Sequence, residues 1–138
     1  VAALHACGSS EEVVSSHLPM AIYTIPEVAW VGKTSVELDE EKINYVTGIG
    51  LYKETARGQI IGDSNGLLKL LVSPETRNIL GVHIVGESAS ELVHIGQMVM
   101  NLGGTVDHLI QNVFNYPTLA ECYKMAALDC SSKIKQIQ

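Results

Sequence analysis

Two rhythms of apolar and polar positions divide the chain. From Met20 to about Gly86 the apolar residues come in short runs separated by turn residues. After Gly86 they recur at helical spacing. In the first part, MAIYTIPEVAWVG gives two short apolar runs broken by Pro26. Proline fixes φ and lacks a backbone donor, so the break predicts a bend between two strand pieces or an edge position. Thr34 followed three residues later by Glu37 has the capping-box spacing and predicts a short helix through about Lys42. INYVTGIGLYK reads as a strand weakened by Gly48 and Gly50, and ARGQIIGDSNG as a strand plus a turn. LLKLLVS and ILGVHIVGE read as strands joined across PETRN into a hairpin with a loop of about six residues.

In the second part, Leu92, Ile95, Val99 and Leu102 form one helical stripe, and Val93, Gly96 and Met100 a second beside it. A helix apolar over more than one face is buried on more than one side. Gly103-Gly104 ends it. TVDHLIQNVF predicts a shorter helix capped by Thr105, and NYP interrupts the chain. A last helix starts near Thr118, its stripe running through Leu119, Cys122, Tyr123, Ala126, Ala127 and Cys130. Ahead of all this, VAALHAC reads as a helix end and GSSEEVVSSHLP as a linker. Strands with one short helix, then a helical last third, predict an α+β fold: an antiparallel sheet flanked by helices. The order is not βαβ, and no GxGxxG follows a strand, so this chain by itself binds no dinucleotide in the usual way.

Composition narrows the function classes. The 138 residues fit one domain, and an apolar share of 46% supports a core without staples; aromatics are only 5%, so that core is aliphatic. The formal net charge is −6 with no basic run, so nucleic acid and membrane-surface partners are not expected. No apolar run approaches the ~20 residues that span a bilayer. The chain starts without Met and without the basic start of a signal peptide, which suggests a piece of a longer protein. Cys7, Cys122 and Cys130 are widely spaced and read as the reduced thiols of a cytoplasmic protein.

Candidate chemistry is sparse. His5, His17, His83, His94 and His108 show no ligand spacing, and no metal site is expected. Cys122 and Cys130 lie ~12 Å apart along one helix, too far for a disulfide, and read as small buried residues. The glycines of ARGQIIGDSNG suit turns and not a phosphate cradle. In NYPTLAE, Thr118 and Glu121 again have capping-box spacing.

The motifs YTIPEVAWVG, GLLKLLVSPETRNILGVHIVG, ASELVHIGQMVM and PTLAE occur in the order found in one family. Over residues ~20–130 the chain resembles the C-terminal dimerisation domain of the flavin-dependent pyridine nucleotide–disulfide oxidoreductases, which include glutathione reductase, dihydrolipoamide dehydrogenase and mercuric reductase. The resemblance divides the chain into residues 1–19, a linker or the end of a preceding flavin domain, and residues 20–138, the dimerisation domain. In disulfide-reducing members the last motif reads His-Pro-Thr-x-x-Glu. The histidine exchanges protons with a thiol pair beside flavin, and the glutamate orients it. Here Pro117, Thr118 and Glu121 match, but Tyr116 replaces the histidine. A phenol ordinarily titrates about three units above neutrality and is poorly matched to that task.

Within the family, FNYPT-AE-Y, ARGQI and ELVHIGQ are similar to the soluble pyridine nucleotide transhydrogenase branch, whose hydride chemistry needs no thiol base. The resemblance implies Tyr116 and Glu121 at the catalytic position, with Glu121 kept chiefly as a helix cap. It implies that Tyr116 and Pro117 contact the flavin of the other subunit of a homodimer through main-chain atoms. FAD, NAD and NADP belong to the full-length enzyme, with none expected in this piece. The helix around Leu92 to Leu102 would turn one face to the core and one to the partner. A mercuric reductase-like enzyme also places tyrosine here but carries a vicinal cysteine pair near its C-terminus, where this chain has Cys130 alone. A dihydrolipoamide dehydrogenase-like enzyme and a non-catalytic interaction domain of the same fold remain as alternatives. Against the last, the retained NYPTLAE loop has little use without a flavin beside it.

Overall fold

The computed structural model describes residues 2–8 and 15–137, so part of the segment read as a linker lies outside the described residues. A short exposed helix, α1 (Ala2–Ala6), precedes the sheet. Five strands follow: β1 (Met20–Ile22), β2 (Val28–Gly32), β3 (Val46–Leu51), β4 (Leu67–Val72) and β5 (Ile79–Val85). They form one antiparallel sheet in the order β1-β2-β5-β4-β3. A period of two, cleanest along β2 and β3, turns alternate residues to the core. Val31, Val82 and Leu70 stand side by side in register, as do Ala29, Ile84 and Leu68, and all six are fully buried. Against them pack two helices, α4 (Ala89–Asn101) over β2 and β5, and α6 (Glu121–Ile137) over β3 and β4. The α+β reading with an antiparallel sheet holds, as does the β4–β5 hairpin with its loop at residues 73–78.

Local chemistry accounts for most element ends. Helix α2 (Ser35–Glu40) has the capping box read from Thr34 and Glu37. The Thr34 hydroxyl accepts from Glu37 N at 3.2 Å, and the Glu37 carboxylate accepts from Thr34 N at 2.7 Å. These bonds hold the Glu37 carboxyl below its ordinary range. Helix α5 (Val106–Gln111) is shorter than TVDHLIQNVF suggested, because Asn112 is already extended. At its start the Thr105 N–H donates to Nδ1 of His108 at 3.0 Å. Asp107 in its first turn takes a bidentate pair of bonds from Arg77, both 2.6 Å, which ties the β4–β5 loop to this helix.

One element was misread. ARGQII is not a strand but helix α3 (Ala56–Ile61), entered through a single 3₁₀ turn at Tyr52–Glu54. The buried Thr55 hydroxyl accepts from Gly58 N at 3.0 Å, and Gly62 closes the helix at φ 75°. Gly58 lies so close to the Tyr52 carbonyl that any Cβ there would overlap it. The Ile60-Ile61 pair that suggested a strand is instead exposed on the helix surface.

The glycines that weakened β3 as a sequence have a packing role. A Cβ on Gly48 would collide with the Ala126 carbonyl, and one on Gly50 with that of Cys122. Their absence lets the α6 backbone rest on the strand. In α4, Val93, Gly96 and Met100 are the buried stripe, whereas Leu92, Ile95 and Val99 are half-buried and Leu102 is exposed. The buried Tyr123 hydroxyl of α6 accepts from Gly96 N at 3.1 Å and donates to the Leu92 carbonyl at 2.8 Å. It thus bridges two groups that would ordinarily pair within α4. The start of α4 is completed from far away: the Glu27 carboxylate accepts from Ser90 N at 3.0 Å and Ser90 Oγ at 2.8 Å, which lowers the Glu27 pKa.

Candidate functional site

The loop from Asn112 to Ala120 joins α5 to α6 and carries Tyr116, Pro117 and Thr118. Leu119 is buried in the core, Phe114 rests on it, and three side-chain hydrogen bonds hold the rest. Lys124 Nζ donates to the Asn112 carbonyl at 2.9 Å. The Thr118 hydroxyl donates to the Asn115 carbonyl at 2.7 Å. The Glu121 carboxylate accepts from Thr118 N at 3.2 Å. The capping box read from Thr118 and Glu121 is therefore only half made. Glu121 supplies its arm, but the Thr118 hydroxyl points back into the loop. The helix accordingly begins at Glu121 and not at Thr118, after tight bonds from Cys122 N to the Leu119 carbonyl and from Tyr123 N to that of Ala120.

Tyr116 and Glu121 meet at one cleft of about 570 Å³, between α3 and the start of α6. Thr55, Gln59, Phe114 and Met125 line it with them. Tyr116 is 75% exposed and Val113 is 87% exposed, so large apolar groups stand on the rim instead of filling the space. Pro117 follows Tyr116 across a cis peptide bond. A second, shallower cleft of about 380 Å³ lies between α4 and α5, lined by Ile95, Val99, Leu109 and Asn112. The half-exposed stripe of α4 therefore runs up to the root of the loop.

No acid–base pair is assembled here. The Glu121 carboxylate is engaged with the backbone, and no histidine lines the cleft. Cys122 lies behind it, buried, and burial pushes its thiol up to about 12, reinforced by Glu121 and Glu54. Burial does the same to Cys130, also to about 12. Both are closed thiols, not nucleophiles, so the cysteine-pair feature of a mercuric reductase-like site has no counterpart among the described residues. Those residues contain no group of three or more His, Cys, Asp and Glu side chains placed to hold a metal ion. No helix among them is long and apolar enough to cross a membrane.

Of the histidines, His94 is exposed on α4, while His83 is half-buried on β5 with Trp30 and Lys69 as its cross-strand neighbours. Burial first, then Lys69, lowers the His83 pKa to about 4. Sequence reasoning missed Lys124, Thr55 and Gln59 as parts of the site. No local signal marks Lys124. The other two were hidden by the strand reading of the segment that became α3.

Comparison with known proteins fits this arrangement. Residues 18–127 match the family described as "Pyridine nucleotide-disulphide oxidoreductase, dimerisation domain". The soluble pyridine nucleotide transhydrogenase of Mycobacterium bovis (strain BCG / Pasteur 1173P2) is 53% identical over 137 residues, covering 99% of this chain and 29% of that protein. Its namesake from Hahella chejuensis is 48% identical over 120 residues, covering 85% of this chain and 26% of that protein. Among solved structures, LpdA from Mycobacterium tuberculosis superposes with a TM-score of 0.81 at 25% identity, over 92% of this chain and 28% of that one. The HOCl-induced flavoprotein disulfide reductase RclA from Escherichia coli gives a TM-score of 0.82 at 19% identity, over 91% of this chain and 30% of its own, a likeness of fold. The chain thus spans under a third of the length of these relatives.

Proposed function

Because the chain belongs to the pyridine nucleotide-disulphide oxidoreductase dimerisation-domain family, we propose that it pairs two copies of an FAD-dependent enzyme that passes hydride between NADPH and NAD. One observation carries the transhydrogenase part of this reading. The loop that would hold a proton-shuttling histidine carries an exposed Tyr116 instead, and the glutamate that would orient such a histidine is bound to the backbone of Thr118. Flavin, when bound, supplies reversible hydride acceptance and donation, which requires no thiol base.

The residues present fit contact with a flavin held elsewhere and not a flavin of their own. The sheet is antiparallel and offers no strand–turn–helix phosphate cradle. The exposed Tyr116-Pro117 segment can meet a ring from outside, and Lys124, Thr118 and Glu121 fix the loop that presents it. The role we assign this chain is to orient that segment and exclude water, with no proton transfer. A homodimer is the natural assembly, because a two-fold contact uses one patch on both copies. The exposed Val113 and Tyr116, together with the half-buried stripe of α4, are the residues we assign to that patch. The absence of a membrane-spanning helix among the described residues is compatible with a cytoplasmic location.

The test is to purify the full-length protein, read its flavin absorbance and follow hydride transfer from NADPH to an NAD analogue. FAD at one per subunit with rapid transfer is expected. Rapid reduction of glutathione or lipoamide disulfide instead would overturn the transhydrogenase reading while leaving the family membership intact.

A further inference from the structure

Strand β3 forms one outer edge of the sheet. Along an antiparallel edge, every second residue points its N–H and C=O away from its neighbour. An edge strand of that kind is a template for another extended segment. On β3 two of these outward groups are occupied by side chains of α6. Ile49 N donates to Asp129 Oδ2 at 3.0 Å, and the Thr47 carbonyl accepts from Lys133 Nζ at 2.8 Å. Asp129 and Lys133 are one turn apart and are themselves joined at 2.8 Å. An anion meets the strand's donor and a cation meets its acceptor, so the pair copies the polarity of a neighbouring strand. It reaches the edge because Gly48 and Gly50 let the α6 backbone approach so closely.

We infer that the Asp129–Lys133 pair closes the β3 edge to strand addition, so that copies of this chain do not extend the sheet from this edge. The occupant kept out is an extended segment, in the first place the β3 edge of a second copy. The inference rests on neither the flavin nor the transhydrogenase reading. A surface ion pair of ordinary kind would contribute little to stability. Its loss would leave the state of association unchanged.

The experiment compares the 138-residue chain with Asp129→Ala, Lys133→Met and the Asp129→Ala/Lys133→Ala double variant. Amide exchange by NMR reads the edge, and sedimentation velocity over a concentration series reads association. In Asp129→Ala the Ile49 amide should exchange at least tenfold faster, while that of Gly48, which faces β4, stays protected. The double variant should form species larger than those of the parent, growing with concentration. Unchanged Ile49 exchange would overturn the inference. So would an exposed Ile49 amide with the parent's size distribution. Should the double variant lose Gly48 protection and so fail to fold, Lys133→Met decides alone. It frees the Thr47 carbonyl without touching Ile49, and a size distribution identical to the parent's would overturn the inference.

Discussion

Helix α6 and the loop that feeds it are continuous in sequence and opposite in physical character. The helix is packed backbone to backbone on β3. Cys122, Tyr123, Ala126, Ala127 and Cys130 are all fully buried, and two glycines opposite them leave no slack. The loop has Val113 and Tyr116 turned outward; hydrogen bonds fix its path, and of its apolar side chains only Leu119 is buried, with Phe114 resting partly on the core. The helix is where stability is concentrated; the loop is where a partner can be met. Rigidity in the first is what makes a defined position possible in the second, as binding constellations require.

The sharpest way to break that contrast is to attack the platform. Gly50→Val places a branched side chain against the Cys122 carbonyl, and we expect a loss of about 3 kcal/mol, at the upper end for overpacking. Urea denaturation would show it as a lower midpoint. Tyr123→Phe should cost less, about 1 kcal/mol, because the freed Gly96 N–H and Leu92 carbonyl can still find each other within α4. The same denaturation series reads it. On the loop side, Tyr116→Ala should change stability by no more than about 0.5 kcal/mol, as for an exposed residue. In the full-length protein it should nevertheless slow hydride transfer between nicotinamides, measured by stopped flow. A destabilisation matching that of Gly50→Val would show that loop and helix are one packed unit after all.

His83 supplies a control outside both regions. Its folded pKa is depressed, so the unfolded chain takes up the proton first. Stability should fall as pH drops from the ordinary 6.5 toward about 4, and His83→Phe should flatten that part of the profile. Thermal unfolding across this pH window checks it.

The same contrast separates what the sequence could disclose from what it could not. Thr34 and Glu37 were legible because a capping box needs only four consecutive residues, and the β4–β5 hairpin because its register is local. The identical spacing at Thr118 and Glu121 misled by half. There the Asn115 carbonyl competes for the threonine hydroxyl, and nothing in the spacing reveals a competitor. Helix α3 was lost because its apolar pair is exposed and its defining contacts are tertiary: a buried threonine cap and a glycine pressed on Tyr52. Tyr116 and Glu121 could be picked out by resemblance, yet the cleft that joins them needs α3, and Lys124 carries no local signature.

The cap that Glu27 places on α4 has a kinetic consequence. Its two partners are 63 residues apart in the chain, so the first turn of α4 cannot be completed by local events. The hairpin of β4 and β5 and the middle of α4 can form early from nearby contacts, whereas this junction must wait for β2 to join the sheet. Contacts that close after the rate-limiting step govern how fast a protein comes apart, not how fast it assembles. Glu27→Ala should therefore raise the unfolding rate in stopped-flow denaturant jumps and leave the folding rate nearly unchanged. An equal change in both arms would mean that β2 docks early. With the unfolding rate alone raised, Glu27, far from the loop that meets the partner, sets the lifetime of the folded domain.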